Sequence, residues 1–183
     1  MALTYTPPGE IGSMCPAFKL TGVDSKEYDF EDFQDSKVLV VMFICNHCPY
    51  VQAVEDRLLK LARDTIPLGA DFVAISSNDA NKYPDDSIEN LRAKWLEKRY
   101  PFPYLYDQEQ QVAKAFGAVC TPDFFVYNEK LKLVYRGRLD DSWKDPKAVT
   151  SEDLKTAILC ALENRKVSVD QKPSMGCSIK WKV

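Results

Sequence analysis

Two periods of hydrophobic and polar positions run through this chain. Residues 37–44 form a nearly unbroken apolar, β-branched run, the pattern of a central strand covered on both faces. Directly after it, Val51, Val54, Leu58, Leu61 and Ala62 recur at three- and four-residue spacing, which predicts an amphipathic helix with Pro49 at its favoured first position. Residues 71–77 predict the next strand. Residues 87–98 predict a helix with Ile88, Leu91 and Trp95 on one face. A short strand near 103–106 precedes a helix over 108–116, with Asp107 as its N-cap and Gly117 as its stop. Residues 124–127 and 131–136 predict adjoining antiparallel strands turned at Asn128-Glu129-Lys130, and 151–162 a closing amphipathic helix. Ahead of all this, residues 6–12 are Pro- and Gly-rich and extended, and 18–20 with 28–30 predict a short hairpin.

Strand and helix therefore alternate, then give way to a hairpin and a last helix. That order predicts an α/β fold with a mixed, mainly parallel central sheet flanked by helices, extended at its N-terminal side by a β-hairpin. No repeat, low-complexity tract or long linker divides residues 1–183, so one domain is expected, with 164–183 as a polar C-terminal tail whose Cys177 can fold back over the site.

At 183 residues and 45% hydrophobic composition the chain can furnish its own core without staples. A formal net charge of -3, with Lys and Arg scattered, offers phosphates no basic surface, so no nucleic-acid partner is expected. The longest apolar run is far shorter than the roughly 20 residues that span a bilayer, so no membrane partner is expected either. The first twelve residues lack a basic start followed by an apolar stretch, and a cytoplasmic location is the expectation.

Composition and location together change how the six cysteines are read. Cys15, Cys45, Cys48, Cys120, Cys160 and Cys177 are too sparse for a stapled secreted domain. In a reducing compartment a close pair such as Cys45 and Cys48 points to catalysis or metal binding. The pair lies between the central strand and its helix, at the carboxyl end of the strand, where open α/β sheets place ligands. Proline disfavours helical geometry in the residue before it, so Cys48 is expected at the N-cap of the helix that Pro49 opens. There the unpaired backbone N–H groups and the positive end of the helix dipole favour thiolate over thiol. Cysteines so placed have pKa values of about 3.5–7.5 against about 8.5 for a free thiol. Cys48 is thus expected to be an ionised, reachable nucleophile.

Cys45 lies three residues earlier, in a turn that holds such residues within about 7 Å, and disulfides need Cα separations of about 4.4–6.8 Å. Cys45 is therefore a candidate resolving thiol; its bland alternative is a buried cysteine closing the strand. His47, the chain's one histidine, can lend charge to the thiolate or shuttle a proton. A metal site on Cys45, His47 and Cys48 lacks the second ligand pair of structural zinc sites, and no metal or other cofactor is expected.

On four segments the chain resembles the thioredoxin-fold redoxins, most closely the peroxiredoxin-like subgroup described as AhpC/TSA-type or thiol-disulfide isomerase/thioredoxin-like. These are Phe43-Ile44-Cys45-Asn46-His47-Cys48-Pro49-Tyr50-Val51, Thr121-Pro122-Asp123-Phe124-Phe125, Gly137-Arg138-Leu139-Asp140-Asp141 and Gly176-Cys177-Ser178-Ile179-Lys180-Trp181. The resemblance implies a thioredoxin-like fold, and a cis Pro122 beside the redox cysteine, where the backbone of Thr121 binds an extended substrate. It also puts Cys48 at the exposed nucleophile's position, with Val51 where thioredoxins carry the resolving cysteine. The strand 37–44 lacks the buried acid of thioredoxins, and no Thr precedes Cys48 at peroxiredoxin spacing.

Cys120, next to Thr121, and Cys177, in the tail, are further candidate resolving thiols. Cys15 and Cys160 are expected to be structural, and Arg138, Asp140 and Asp141 are candidates for the rim of the site. The leading expectation is a thiol-disulfide oxidoreductase that takes a disulfide-containing or peroxide substrate and is recharged by an external thiol reductant. One alternative is an antioxidant thiol peroxidase of peroxiredoxin type. The other, from a different class, is a redox-inert module that docks peptides on Thr121-Pro122 and the tail.

Overall fold

The computed structural model describes residues 3–168 and 170–182. In chain order the strands and helices are β1 (Leu3–Tyr5), β2 (Lys19–Gly22), β3 (Glu27–Asp29), β4 (Val38–Phe43), α1 (Pro49–Thr65), β5 (Ala70–Ser76), α2 (Ile88–Lys98), β6 (Tyr104–Tyr106), α3 (Gln111–Phe116), β7 (Cys120–Thr121), β8 (Asp123–Asn128), β9 (Leu133–Gly137), α4 (Asp153–Leu162) and β10 (Met175–Ser178). Among the described residues no helix is long and apolar enough to cross a membrane.

All six residues of β4 are buried, as its unbroken apolar run requires. It lies parallel to β5 and antiparallel to β8 inside a seven-stranded sheet of order β3-β2-β6-β5-β4-β8-β9. The period-two alternation of β4 divides the core. Val38, Val40 and Met42 join a cluster with Val54 and Leu58 of α1, Leu91 of α2 and Leu154 of α4. Leu39, Val41 and Phe43 join another with Ala113 and Phe116 of α3 and with Phe18 and Phe33. Burying a large apolar side chain contributes about 1.5–3 kcal/mol, so the inward face of α1 alone fixes that helix to the sheet. The α/β, thioredoxin-like architecture with helices on both faces follows, and the β2–β3 hairpin extends the sheet at the β6 edge.

Two expectations need correction. The helix expected from residue 108 starts at Gln111, because Gln110 takes a left-handed conformation (φ 60°). Asp107 still caps it, from further back: its carboxylate accepts the backbone N–H of Val112 (3.3 Å) and of Ala113 (2.8 Å). Gly117 stops the helix at φ 61°.

The segment 164–183, expected as a polar tail, contains a strand at Met175–Ser178. β10 lies between β1 and β7 in a separate three-stranded sheet. Two glycines let it come this close. A Cβ on Gly137 would meet the carbonyl oxygen of Lys172 at 2.4 Å, and one on Gly176 would meet that of Thr121 at 1.9 Å. Side chains then tie the segment down: Ser174 Oγ donates to Pro122 O (2.6 Å), Lys180 N to Asn78 Oδ1 (2.8 Å), and Gln110 Nε2 to Lys180 O (2.9 Å).

Candidate active site

β4 ends at Phe43 and α1 begins at Pro49, and the turn between them carries Cys45, Asn46, His47 and Cys48. Cys48 is the N-cap of α1, in extended conformation (φ -77°, ψ 117°), with Pro49 following. The Thr121–Pro122 peptide, between β7 and β8, is cis and packs against the same turn. Thr121 bridges the two sulfurs: Cys45 Sγ lies 3.3 Å from its hydroxyl, and the Cys48 thiol donates to its carbonyl at 3.1 Å.

The expectation that Cys48 is reachable is not met. Its relative exposure is 0%, because β10 passes directly over it in antiparallel register with Cys177 opposite Thr121. The missing solvent is replaced by protein donors. A hydrogen bond from the Cys45 thiol is the largest influence on the Cys48 sulfur, and it lowers the pKa. Burial opposes it, while Thr121 and the backbone N–H groups of Val51 and Cys177 add to it. The net result takes Cys48 from an ordinary 9.0 down to about 5. In the neutral form the Thr121 carbonyl accepts the thiol proton.

The neighbouring sulfurs move the other way. Cys45, 2% exposed, is raised by burial, by its hydrogen bond to Cys48, and by the charges of Asp86 and Cys48. Cys177, also 2% exposed, is raised to about 12 by burial and then by its hydrogen bond to the Cys48 sulfur. Cys120 is fully buried and raised by that burial; it abuts the site through β7 without a hydrogen bond to Cys48 among the described residues. The arrangement thus holds one thiolate between two protonated thiols, none of the six cysteines being in a disulfide.

His47 faces Cys45 rather than Cys48. Its Nδ1 lies 3.8 Å from Cys45 Sγ and pairs closely with Asp86, and its ring stacks on Tyr83 at 5.0 Å between centroids. Asp86 is the site residue that sequence reasoning missed. It is fully buried, accepts the backbone N–H of Asn46 (2.7 Å) and of His47 (3.2 Å), and takes the side-chain N–H of Asn78 (2.8 Å). Burial pushes its carboxyl up, but these donors and the His47 pairing hold it below the usual range. The sequence signal was faint: two consecutive acids ahead of the helix N-cap Ser87, a pattern that ordinarily lies in solvent.

Cys45, His47 and Asp86 also bring three metal-ligating atoms within 4.8 Å of one another. The two Asp86 oxygens already serve four protein donors, whereas His47 Nε2 is buried without a partner among the described residues. Of the rim candidates, Arg138 pairs with Asp153 (2.6 Å) and Asp140 with Arg57 (2.8 Å). Asp141 takes the backbone N–H of Thr150 (2.8 Å). Arg138, Asp140 and Asp141 line a cavity of about 270 Å³ beside Pro122, together with Tyr50, Trp143 and Met175.

The Redoxin family model matches residues 10–158. The chain belongs to the Redoxin family. No curated protein matches this redoxin. Among solved structures, an uncharacterized conserved protein from Geobacillus kaustophilus is 49% identical, with a TM-score of 0.94 over 100% of this chain and 97% of its own. A hypothetical protein from Sinorhizobium meliloti 1021 is 40% identical, with a TM-score of 0.94 over 98% of this chain and 99% of its own. A thiol:disulfide interchange protein of the thioredoxin family from Chlorobium tepidum TLS is 17% identical, with a TM-score of 0.64 over 85% of this redoxin and 99% of its own chain. That last likeness speaks to the thioredoxin-like fold alone. Family membership supports a redox function in general terms.

Proposed function

We propose that this redoxin is a thiol-disulfide oxidoreductase in which Cys48 is the nucleophile. The observation that carries the reading is the placement of the Cys48 sulfur at the N-cap of α1, against Thr121 and under Cys177, surroundings that lower its pKa to about 5. The Cys48 thiolate attacks one sulfur of a disulfide R–S–S–R′, forming Cys48–S–S–R and releasing R′S⁻. A second protein thiol then loses its proton and attacks the Cys48 sulfur, releasing RS⁻ and leaving a protein disulfide. The substrate gains two electrons and the protein loses two, which an external dithiol reductant restores. Cys45 and Cys177 both hydrogen-bond the Cys48 sulfur and are the candidates for the second thiol.

The burial of Cys48 favours a second reading, a thiol peroxidase, since hydrogen peroxide is small. In that case Cys48 takes an oxygen to become sulfenic acid with release of water, and the second thiol condenses with it, releasing another water. An inert docking module has no use for a cysteine whose surroundings favour its ionised form.

Peroxide consumption against disulfide reduction, each with dithiothreitol as reductant, separates the two reactions. Cys48→Ser is expected to lower either activity by at least about 10³-fold. Peptide mapping of the mildly oxidised protein identifies the second thiol. Retention of activity in Cys48→Ser sinks the assignment.

A further inference from the structure

In the small sheet β7 is an edge strand, and the partner on that edge is β10. Without β10 the backbone of Thr121 would lie open next to a thiolate. An extended peptide adds to such an edge by main-chain hydrogen bonding, and its own sulfur would come to rest over Cys48. The chain fills that place itself: Cys177 pairs with Thr121 and Ser178 with Cys120, and the Cys177 thiol meets the Cys48 sulfur.

The seating is built rather than incidental. Gly176 allows backbone-to-backbone contact with Thr121 that a Cβ would block, and Ser174 Oγ fastens the strand's start to Pro122 O. The other side of β10 is held by β1, through Leu3 opposite Cys177, Thr4 opposite Gly176 and Tyr5 opposite Met175.

We propose that β10 is a built-in occupant of the substrate edge, restricting Cys48 to low-molecular-weight oxidised sulfur compounds and keeping extended protein disulfides out. The inference rests on Cys48 being the nucleophile. A small disulfide needs only the Cys48 sulfur, reached by a local opening between β10 and α1. An extended peptide needs the Thr121 backbone as well, and gains it only in the fraction of molecules whose β10 has left. Its apparent reactivity is scaled down by that fraction. The two-electron exchange with a small disulfide is the one written above, and an external dithiol recharges the protein.

The test uses the full-length reduced protein and two probes, hydroxyethyl disulfide and a disulfide-linked pair of extended glycine-rich peptides. First-step rate constants are read by stopped flow. Wild type is expected to prefer the small disulfide by about 100-fold or more, and Gly176→Ala to narrow that preference by about tenfold or more through a faster peptide reaction. Ser174→Ala, a milder loosening, is expected to narrow it by about threefold, which keeps the test decisive should Gly176→Ala not fold. Equal rates for the two probes in wild type, or a preference unmoved by both loosening variants, overturns the proposal. Cys48→Ser separates the two levels. If it abolishes both reactions while the preference stays flat, the gating fails alone; if it reacts like wild type, the nucleophile assignment falls and the gating with it.

Discussion

Cys15 and Cys48 are buried to nearly the same degree, 6% and 0% exposed, in different core clusters of one sheet. Their acidities diverge in opposite directions. Burial lifts Cys15 to about 12, with a hydrogen bond to Tyr127 as the one influence against it. Cys48 falls to about 5, although burial acts on it in the same sense. What separates the two is the number of hydrogens aimed at the sulfur. Cys15 sits in an irregular segment whose own N–H is spent on Leu131 O (2.8 Å), whereas Cys48 sits where a helix begins and its first N–H groups lack backbone acceptors. Burial alone is therefore a poor guide to thiol acidity here, and the polar surroundings of the sulfur are a better one.

Three substitutions probe that contrast, in decreasing order of consequence. Asp86→Asn removes the buried charge that orients the turn and pairs with His47, and is expected to cost about 1–3 kcal/mol in urea unfolding at neutral pH. The sign with pH is fixed. The folded Asp86 carboxyl titrates below its ordinary 3.8, so its stabilising contribution is full above that value and is lost as pH falls through the lower, folded one. The gap between wild type and Asp86→Asn should accordingly close on strong acidification. A gap that widens there contradicts the assignment.

Cys45→Ala deletes the largest donor to Cys48. The thiolate's midpoint should climb toward that of an ordinary thiol, and the first-step rate with hydroxyethyl disulfide near pH 6 should drop by about tenfold. An unchanged rate would assign the low pKa to the helix terminus alone. Cys15→Ser, at the other pole of the comparison, should leave that rate within about twofold of wild type. A larger loss would mean that the two clusters are coupled through the sheet.

Where local pattern and tertiary structure agree, the fold was legible from residues alone. The apolar run of β4 and the spacing of Val51, Val54 and Leu58 place the strand, the helix and the Cys48 N-cap, because burial on both faces and on one face leave distinct periods. Asp107 was recognised as a cap but set too close to its helix, since the left-handed Gln110 carries no sequence signal of its own. Met175-Gly176-Cys177-Ser178 was not legible as a strand. It has no alternation, and its partners at residues 3–5 and 120–121 lie far away in the chain. That omission hid the burial of Cys48, because the cover over the sulfur comes from β10. Asp86 was hidden for a related reason: its four donors come from residues 46–47 and 78, segments that meet it only in the folded chain.

Carbon NMR titration of the Cys48 Cβ in the reduced wild-type protein reads the ionisation of that sulfur without requiring any reagent to reach it. The account predicts a midpoint near 5, with the resonance of a thiolate throughout the neutral range. A midpoint at the ordinary thiol value of 9.0 or above, the behaviour that burial alone produces at Cys15, would contradict it.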